Sequence, residues 1–513
     1  MTAEVGGPGD EADAGTEPVA ADGRWHRVHP LTPAIRSWQV LVVLLIYLGQ
    51  DLVQTTLRGD LDAAGQVAQL RGWALGGGLL IVLVVILLGG GMAGLSWRCT
   101  RYRVSHEALE LQHGVVSRRQ RQAPLDRLQA VDIVQPLLAR LTGLARLTLE
   151  VAGGGDSRIE LAYLTETQAR RLRNHLLAAA AGVRYRTPEA PEAPEHFVLT
   201  VPLQRLAGAL ALSGGTIWLG TGAVALVSSS IATGRPGLAA GALPALLGAA
   251  GTLWNRFSTE FGFRVATSPD GLRLRHGLLQ QRTQTVPPGR VQAVRLSQPL
   301  LWRPGRWWRV EVNVAGYGRE RAETGVLLPV GTRDEAVAVL AFVLPDLGVR
   351  DTEHPGPVVD AGLVGTLGDG GFTAAPPAAR FVDPIGWRRH GYRVTRTALL
   401  LRRGVLYRQL DVVPHARTQS VGVRQGPLQR RLALASFTLH STPGPAMPVV
   451  AHLAAPVVAR LLDEQVLRAR QARAGAGPER WMETVASAAP AGHPLDQPTE
   501  PAQGAGVEEL GDR

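Results

Sequence analysis

Apolar and polar positions along the chain fall into two alternating regimes. Four blocks are apolar over helical lengths. Trp38–Leu57 reads WQVLVVLLIYLGQDLVQTTL, and Trp73–Trp97 reads WALGGGLLIVLVVILLGGGMAGLSW with no charge at all. Two more lie at Leu206–Ala232 and Gly237–Trp254. A bilayer core takes about 20 apolar residues in a helix. The pattern therefore predicts four membrane spans in two hairpins, 36–97 and 201–256. Asp51 stands toward the far end of the first span, where water or a neighbouring span can satisfy it.

Elsewhere apolar and polar residues alternate with the period of half-buried strands. RYRVS and ALELQHG read as an antiparallel pair closed by a His-Gly turn, with VVSRRQRQAP and RLQAVDIVQ as the next strands. LTLEVAG and RIELAYL follow as a hairpin around Gly153–Gly155. Thr165 then opens a helix, Gln168 completes a capping box, and Leu172, Leu176 and Leu177 form its apolar stripe.

This arrangement recurs. PLDRLQAV (124–131), PPGRVQAV (287–294) and PHARTQSV (414–421) share Pro-x-x-Arg-x-Gln-x-Val. The shared positions are Pro124, Arg127 and Gln129, then Pro287, Arg290 and Gln292, then Pro414, Arg417 and Gln419. Ten residues before each Pro stands a glycine, Gly114, Gly277 or Gly404. An aromatic-Arg-Val triplet precedes each glycine, at Tyr102, Phe263 and Tyr392, and a second glutamine follows each motif, at Gln135, Gln298 and Gln425. Spacing kept this closely argues for duplication. Three α+β units are expected, at 98–183, 257–350 and 384–473. Each is a compact roll or partly open barrel of short strands closed by a C-terminal helix. Residues 184–200 and the Pro/Gly/Ala stretch 351–383 read as linkers, and 1–35 and 474–513 as disordered tails.

Charge sets the orientation. The net charge is +11 and no lysine is present. Arg24, Arg27 and Arg36 precede the first span, Arg98, Arg101 and Arg103 follow the second, and Arg256 and Arg264 follow the fourth. The hairpin loops hold few arginines, so both termini and the polar bulk are expected in the cytoplasm. A single cysteine, Cys99, excludes an intramolecular disulfide and any multi-cysteine metal site. No HExxH, GxSxG or Walker A pattern occurs, and the histidines scatter. The expectation is no enzyme, no cofactor and no metal site. WRPGRWWRVEV (302–312) interleaves Trp and Arg, which suits packing or a membrane-facing edge better than base stacking, and no nucleic acid is expected as a partner.

The aromatic-Arg-Val triplet, hairpin glycine, Pro-x-x-Arg-x-Gln-x-Val and following Gln-Pro together resemble the bacterial pleckstrin-homology (PH) family. Paired spans before such a unit are similar to its YdbT-type membrane proteins. The resemblance covers about 36–470. It implies PH-like units of two near-orthogonal sheets plus a helix, with no catalytic residues to carry over. Arg127, Arg290 and Arg417 then have two readings, as determinants of the fold or as receivers of an anion or acidic partner. Arg118, Arg119 and Arg121 are candidates for contact with an anionic membrane.

Two functions follow. One is a multi-pass protein of the bacterial cell membrane presenting three cytoplasmic PH-like units to a protein partner or to anionic headgroups. The partner could be another copy, or a smaller PH-domain membrane protein. The other is an accessory subunit of a transport or export complex.

Overall fold

The computed structural model describes residues 25–30, 32, 91, 94–105, 108–114, 119–125, 128–151, 158–180, 196–234, 236–268, 271–315 and 325–475. Nearly all of the first expected hairpin, Asp51 included, lies outside the described residues, as do 1–24 and 476–513.

Three β-rich PH-like units are present. In unit one, β1 (His26–Arg27), β2 (Arg101–Val104), β3 (Ala108–His113) and β4 (Arg119–Pro124) form one antiparallel sheet. Then come β5 (Leu128–Pro136), β6 (Leu144–Val151), β7 (Arg158–Thr165) and helix α1 (Glu166–Ala180). The expected capping box is formed: Gln168 N donates to Thr165 Oγ1, and Thr165 N to Gln168 Oε1, both at 3.3 Å. Leu172 and Leu176 of the expected stripe are fully buried in the core of this unit.

Unit two begins earlier than its repeat suggests. β8 (His196–Thr200), within the stretch read as a linker, pairs with β9 (Arg264–Ser268) in one sheet. Between these neighbouring strands the chain makes α2 (Leu203–Ala211), α3 (Gly214–Thr233) and α4 (Pro236–Glu260). The membrane-type hairpin is thus inserted inside the unit rather than placed before it. The expected third span is also divided. Leu206, Ala209 and Leu210 face the core of unit two, and Ser213 caps a new helix by accepting from Thr216 N. Gly234, at φ 65°, ends α3.

Among the described residues α3 is the one helix identified as long and apolar enough to cross a membrane. It buries none of its residues, and Trp218, Val224 and Ile231 stand open. A helix apolar all round and uncovered by protein suits a lipid surround. Four spans are therefore an expectation that the described residues meet only at α3.

Unit two continues through β10 (Gly271–His276), β11 (Gln280–Val286), β12 (Val291–Pro299), β13 (Trp308–Val314), β14 (Val326–Gly331) and α5 (Arg333–Val343). Thr332 and Glu335 form the second expected capping box. The stretch 351–383 is packed structure, not a free linker. Its α6 (Pro355–Leu363) carries Pro at a tolerated first-turn position. Val358, Val359 and Leu363 join the core of unit two. Unit three comprises β15 (Thr373–Ala374), β16 (Gly391–Val394), β17 (Ala398–Arg403), β18 (Tyr407–Pro414), β19 (Ser420–Arg424), β20 (Leu434–His440), β21 (Val449–Ala454) and α7 (Ala455–Gly475).

The sheets do not stop at unit boundaries. One seven-stranded sheet runs β7-β6-β5-β11-β10-β9-β8 and another β14-β13-β12-β18-β17-β16-β15, while β19-β20-β21 stand apart. Units one and two therefore each share a sheet with their successor. The expectation of three self-contained rolls is corrected to that extent.

Candidate functional site

The two junctions are built alike. β5 pairs antiparallel with β11, setting Pro136 opposite Gln280, and β12 pairs with β18, setting Pro299 opposite Tyr407. Gln280 and Tyr407 each stand three residues after their hairpin glycine, so the register is the same at both. The repeated Gln-Pro closes the outgoing strand, and the repeated glycine starts the incoming one.

The three glycines are needed at their turns. Gly114, Gly277 and Gly404 have φ of 120°, 114° and 76°. A Cβ on Gly277 would run into the Gln280 carbonyl, and one on Gly404 into that of Tyr407. Pro124 and Pro414 end β4 and β18, and Pro287 follows β11 directly.

The motif arginine reaches backward across the junction. Arg290 Nη2 donates to the Leu128 carbonyl of unit one at 2.9 Å, and Arg417 Nη2 donates to the Gly289 carbonyl of unit two. Arg127 lies outside the described residues. Both described arginines are half-buried and staple units together, which favours the fold-determining reading of the motif. Its glutamine has no single role. Gln292 is buried and donates to the Arg290 carbonyl at 3.4 Å, Gln419 is exposed, and Gln129 contributes backbone to β5. The second glutamine is more uniform. Gln298 Nε2 donates to the Trp307 carbonyl and Gln425 Nε2 to the Leu434 carbonyl, each nine residues on.

The second junction holds a buried ion pair that sequence reasoning missed. Arg295 on β12 lies opposite Asp411 on β18, with Nε–Oδ1 at 2.6 Å and Nη2–Oδ2 at 3.1 Å. Asp411 is 0% exposed and Arg295 5%. Arg295 also donates to the Met447 carbonyl at 2.9 Å and to that of Pro445. Burial alone would lower the guanidinium pKa, but the Asp411 charge and hydrogen bonds outweigh it and hold the group above its ordinary value.

Unit two grips its helical hairpin by charge. Arg309 on β13 binds Glu260 at the end of α4 at 2.8 Å and Glu311 at 2.8 Å. Arg205 on α2 binds Glu335 on α5 at 2.6 Å. In the Trp/Arg cluster, Trp302 and Trp308 are buried, and Trp302 Nε1 donates to the Ala209 carbonyl at 3.0 Å. That cluster seats α2, which is the packing role.

Unit three carries the unusual arginines. Arg389 donates to the Gly362, Leu363 and Gly365 carbonyls and Arg402 to the Ala361 carbonyl, gathering the C-terminal end of α6. Cations there complement the helix dipole. Burial, then Arg402 and other neighbouring arginines, brings Arg389 down to about 9; burial brings Arg402 down to about 10. A cavity of about 750 Å³ lies beside this unit, lined by Arg350, Arg393, Arg396, Arg460 and Arg468 among others. Carboxylates answer most of these: Glu353 binds Arg393, Asp346 binds Arg396, and Glu464 binds Arg460 and Arg468.

Arg119 is exposed and Arg121 half-exposed on β4, the outer strand of the first sheet, and Arg118 lies outside the described residues. Of the described candidates, Arg119 and Arg121 thus share β4, while Arg290 and Arg417 lie at the unit junctions. His390 Nε2 lies against Asp383 Oδ2 at 2.8 Å, with the His452 ring edge-on to His390 at 5.7 Å. Among the described residues no group of three His, Cys, Asp or Glu is placed to hold a metal.

A family model for the bacterial PH domain matches residues 44–180, 209–346 and 367–469. Similar proteins include the UPF0699 transmembrane protein YdbT of Bacillus subtilis (strain 168), 21% identical over an alignment of 264 residues that covers 45% of this chain and 53% of that protein. The chain therefore aligns with about half the length of this relative. No solved structure matches the chain.

Proposed function

Because the chain belongs to the bacterial PH domain family, we propose that it is a membrane-anchored, non-catalytic scaffold. Its three PH-like units face the cytoplasm and present continuous sheets to a protein partner or to anionic headgroups. The observation that supports this reading is the insertion of α2, α3 and α4 between the paired strands β8 and β9, with α3 long and apolar enough to cross a membrane. Four spans with both termini inside complete the topology, following the arginine distribution.

Cys99 tests the orientation, since it is exposed and is the sole cysteine. A membrane-impermeant maleimide should leave it unlabelled in intact cells and label it in inverted vesicles; labelling in intact cells refutes the topology. Sedimentation with phosphatidylglycerol vesicles tests the lipid arm. Arg119→Ala with Arg121→Ala should weaken binding, each cation near an anionic surface contributing about 1 kcal/mol. Undiminished binding leaves only the protein-partner arm. The accessory-subunit reading draws on the uncovered surface of α3 and predicts a stoichiometric transporter after mild detergent extraction.

A further inference from the structure

Units one and two each give one sheet edge to their successor, and at the second junction the incoming strand helps close the core it joins. Leu410 and Val412 of β18 lie in the core of unit two. On the receiving strands, Val131 and Ile133 of β5 are 2% and 6% exposed, and Val294 and Leu296 of β12 are both 0% exposed. Their repeat counterparts on β19 are Val421 and Val423. Val421 is half-buried and Val423 is 49% exposed. β19 is the outer strand of its sheet, and among the described residues no strand pairs with its free side. The position closed twice within the chain is left open the third time.

We propose that the β19 edge is a docking edge for one antiparallel strand of a further PH-like sheet carried by a separate polypeptide. That strand has apolar residues where β18 has Leu410 and Val412. This rests on the scaffold reading and names one partner surface within it. Edge strands offer unpaired backbone groups, and strand addition supplies affinity through them while alternate side chains supply selectivity.

Unit one of a second copy is the wrong occupant. Its equivalent strand, β4, would set the long amides of Gln120 and Gln122 where β18 has Leu410 and Val412 and β11 has Thr283 and Thr285, and Arg119 opposite Arg424. Gln120 and Gln122 already turn toward Glu110, at 3.4 and 3.5 Å. Burying their amides against valines costs about 1–3 kcal/mol each, and like charges directly opposite are destabilising. The outer face of unit one is thereby set against self-pairing.

The probe is a fluorescein-labelled peptide of residues 407–414, YRQLDVVP, titrated onto the full chain in detergent micelles. A second peptide carries Leu410→Gln and Val412→Gln, copying β4. Saturable binding of the first is expected. It should weaken by about tenfold or more with the second peptide, and likewise with the Val423→Arg chain. Val423 is already open to solvent, so its replacement leaves the fold intact. Equal binding of both peptides, or undiminished binding by Val423→Arg, overturns the proposal. So does a disulfide between separate copies bearing Gln120→Cys and Val423→Cys in a Cys99→Ser background, which makes a second copy the occupant. None of these outcomes alters the vesicle or maleimide result, so failure here is distinct from failure of the scaffold reading.

Discussion

Asp411→Asn tests the buried ion pair that ties unit three to unit two. The substitution keeps the side-chain shape and removes the charge that faces Arg295. In the native junction Asp411 is fully buried and takes two short bonds from one guanidinium. Removing one partner of such a pair leaves an uncompensated buried charge, which costs about 3–5 kcal/mol. Arg295 keeps the Pro445 and Met447 carbonyls, so the low end, about 3 kcal/mol, is expected.

Hydrogen exchange by mass spectrometry on the full chain in micelles reads this locally, where a single global unfolding energy would be ill-defined for so many units. At about 1.4 kcal/mol per tenfold, β12 and β18 amides should exchange on the order of a hundredfold faster. The β5 and β11 amides serve as the unchanged control. Arg295→Met alone should cost a similar amount, because Asp411 then retains only Arg403, at 3.7 Å. The double variant should cost about 2–4 kcal/mol, set by two orphaned carbonyls rather than by the sum of the singles. Additive costs, or an Asp411→Asn effect below about 1 kcal/mol, would falsify the ion pair as the main tie at this junction.

Three further outcomes are expected. Gly404→Ala should destabilise unit three by about 1–3 kcal/mol in limited proteolysis, since φ is 76° and the Tyr407 carbonyl blocks a Cβ, whereas Gly426→Ala should be near neutral; equal behaviour of the two contradicts this. Arg290→Ala should speed exchange at β5 and β11 through loss of about 1.5–3 kcal/mol from a charged donor on the Leu128 carbonyl, and unchanged protection there sinks the staple. His390, His415 and His452, all in unit three, are held below the usual histidine range chiefly by burial. Their folded pKa values lie under the unfolded value of about 6.5, so stability is full above about pH 6.5 and falls as pH drops below it; unit three should loosen as pH falls below about 6.5, and constant protection there refutes the assignment.

Much of the architecture was legible because its signals are local. A turn that needs positive φ demands glycine, a helix start shows its cap, and strand alternation shows its face. Gly277, Thr332 with Glu335, and Leu172 with Leu176 were readable for those reasons. What could not be read is pairing between units, since an edge strand and a joined strand share one alternation. At the second junction the residual signal is apolarity on both faces: LDVV in β18 is buried throughout, while RQRQAP in β4 stays wet on one side; β11, QQRTQTV, gives no such signal although it is joined to β5. Composition also misled at 351–383, where Pro, Gly and Ala suggested a linker although Val358, Val359 and Leu363 sit at core-facing spacing. Arg389 and Arg402 escaped notice because charged residues are expected outside, and their partners are backbone carbonyls that no motif encodes.

The insertion points give the three units different mechanical status. In unit two the hairpin leaves from β8 and returns into β9, and its ends are fixed by Arg205–Glu335 and Arg309–Glu260. In unit one the first expected hairpin falls in the chain between β1 and β2, which pair with each other, and Trp97 Nε1 donates to the Val28 carbonyl at 2.8 Å across that gap. Unit three has the same pair of strands, β15 and β16, but the chain between them is short and carries Asp383, Arg389 and His390 instead of an apolar hairpin. Its hold on the rest of the described molecule includes the shared β12–β18 sheet, the packed α6 connection, the Arg417 bond to the Gly289 carbonyl and the Asn313 bonds to Thr442 and Ala446. Arg295–Asp411 is the buried ion pair among these ties, so its loss should loosen unit three while leaving units one and two seated. At the far end of the series from the inserted hairpin, β19 is the edge with room for another sheet.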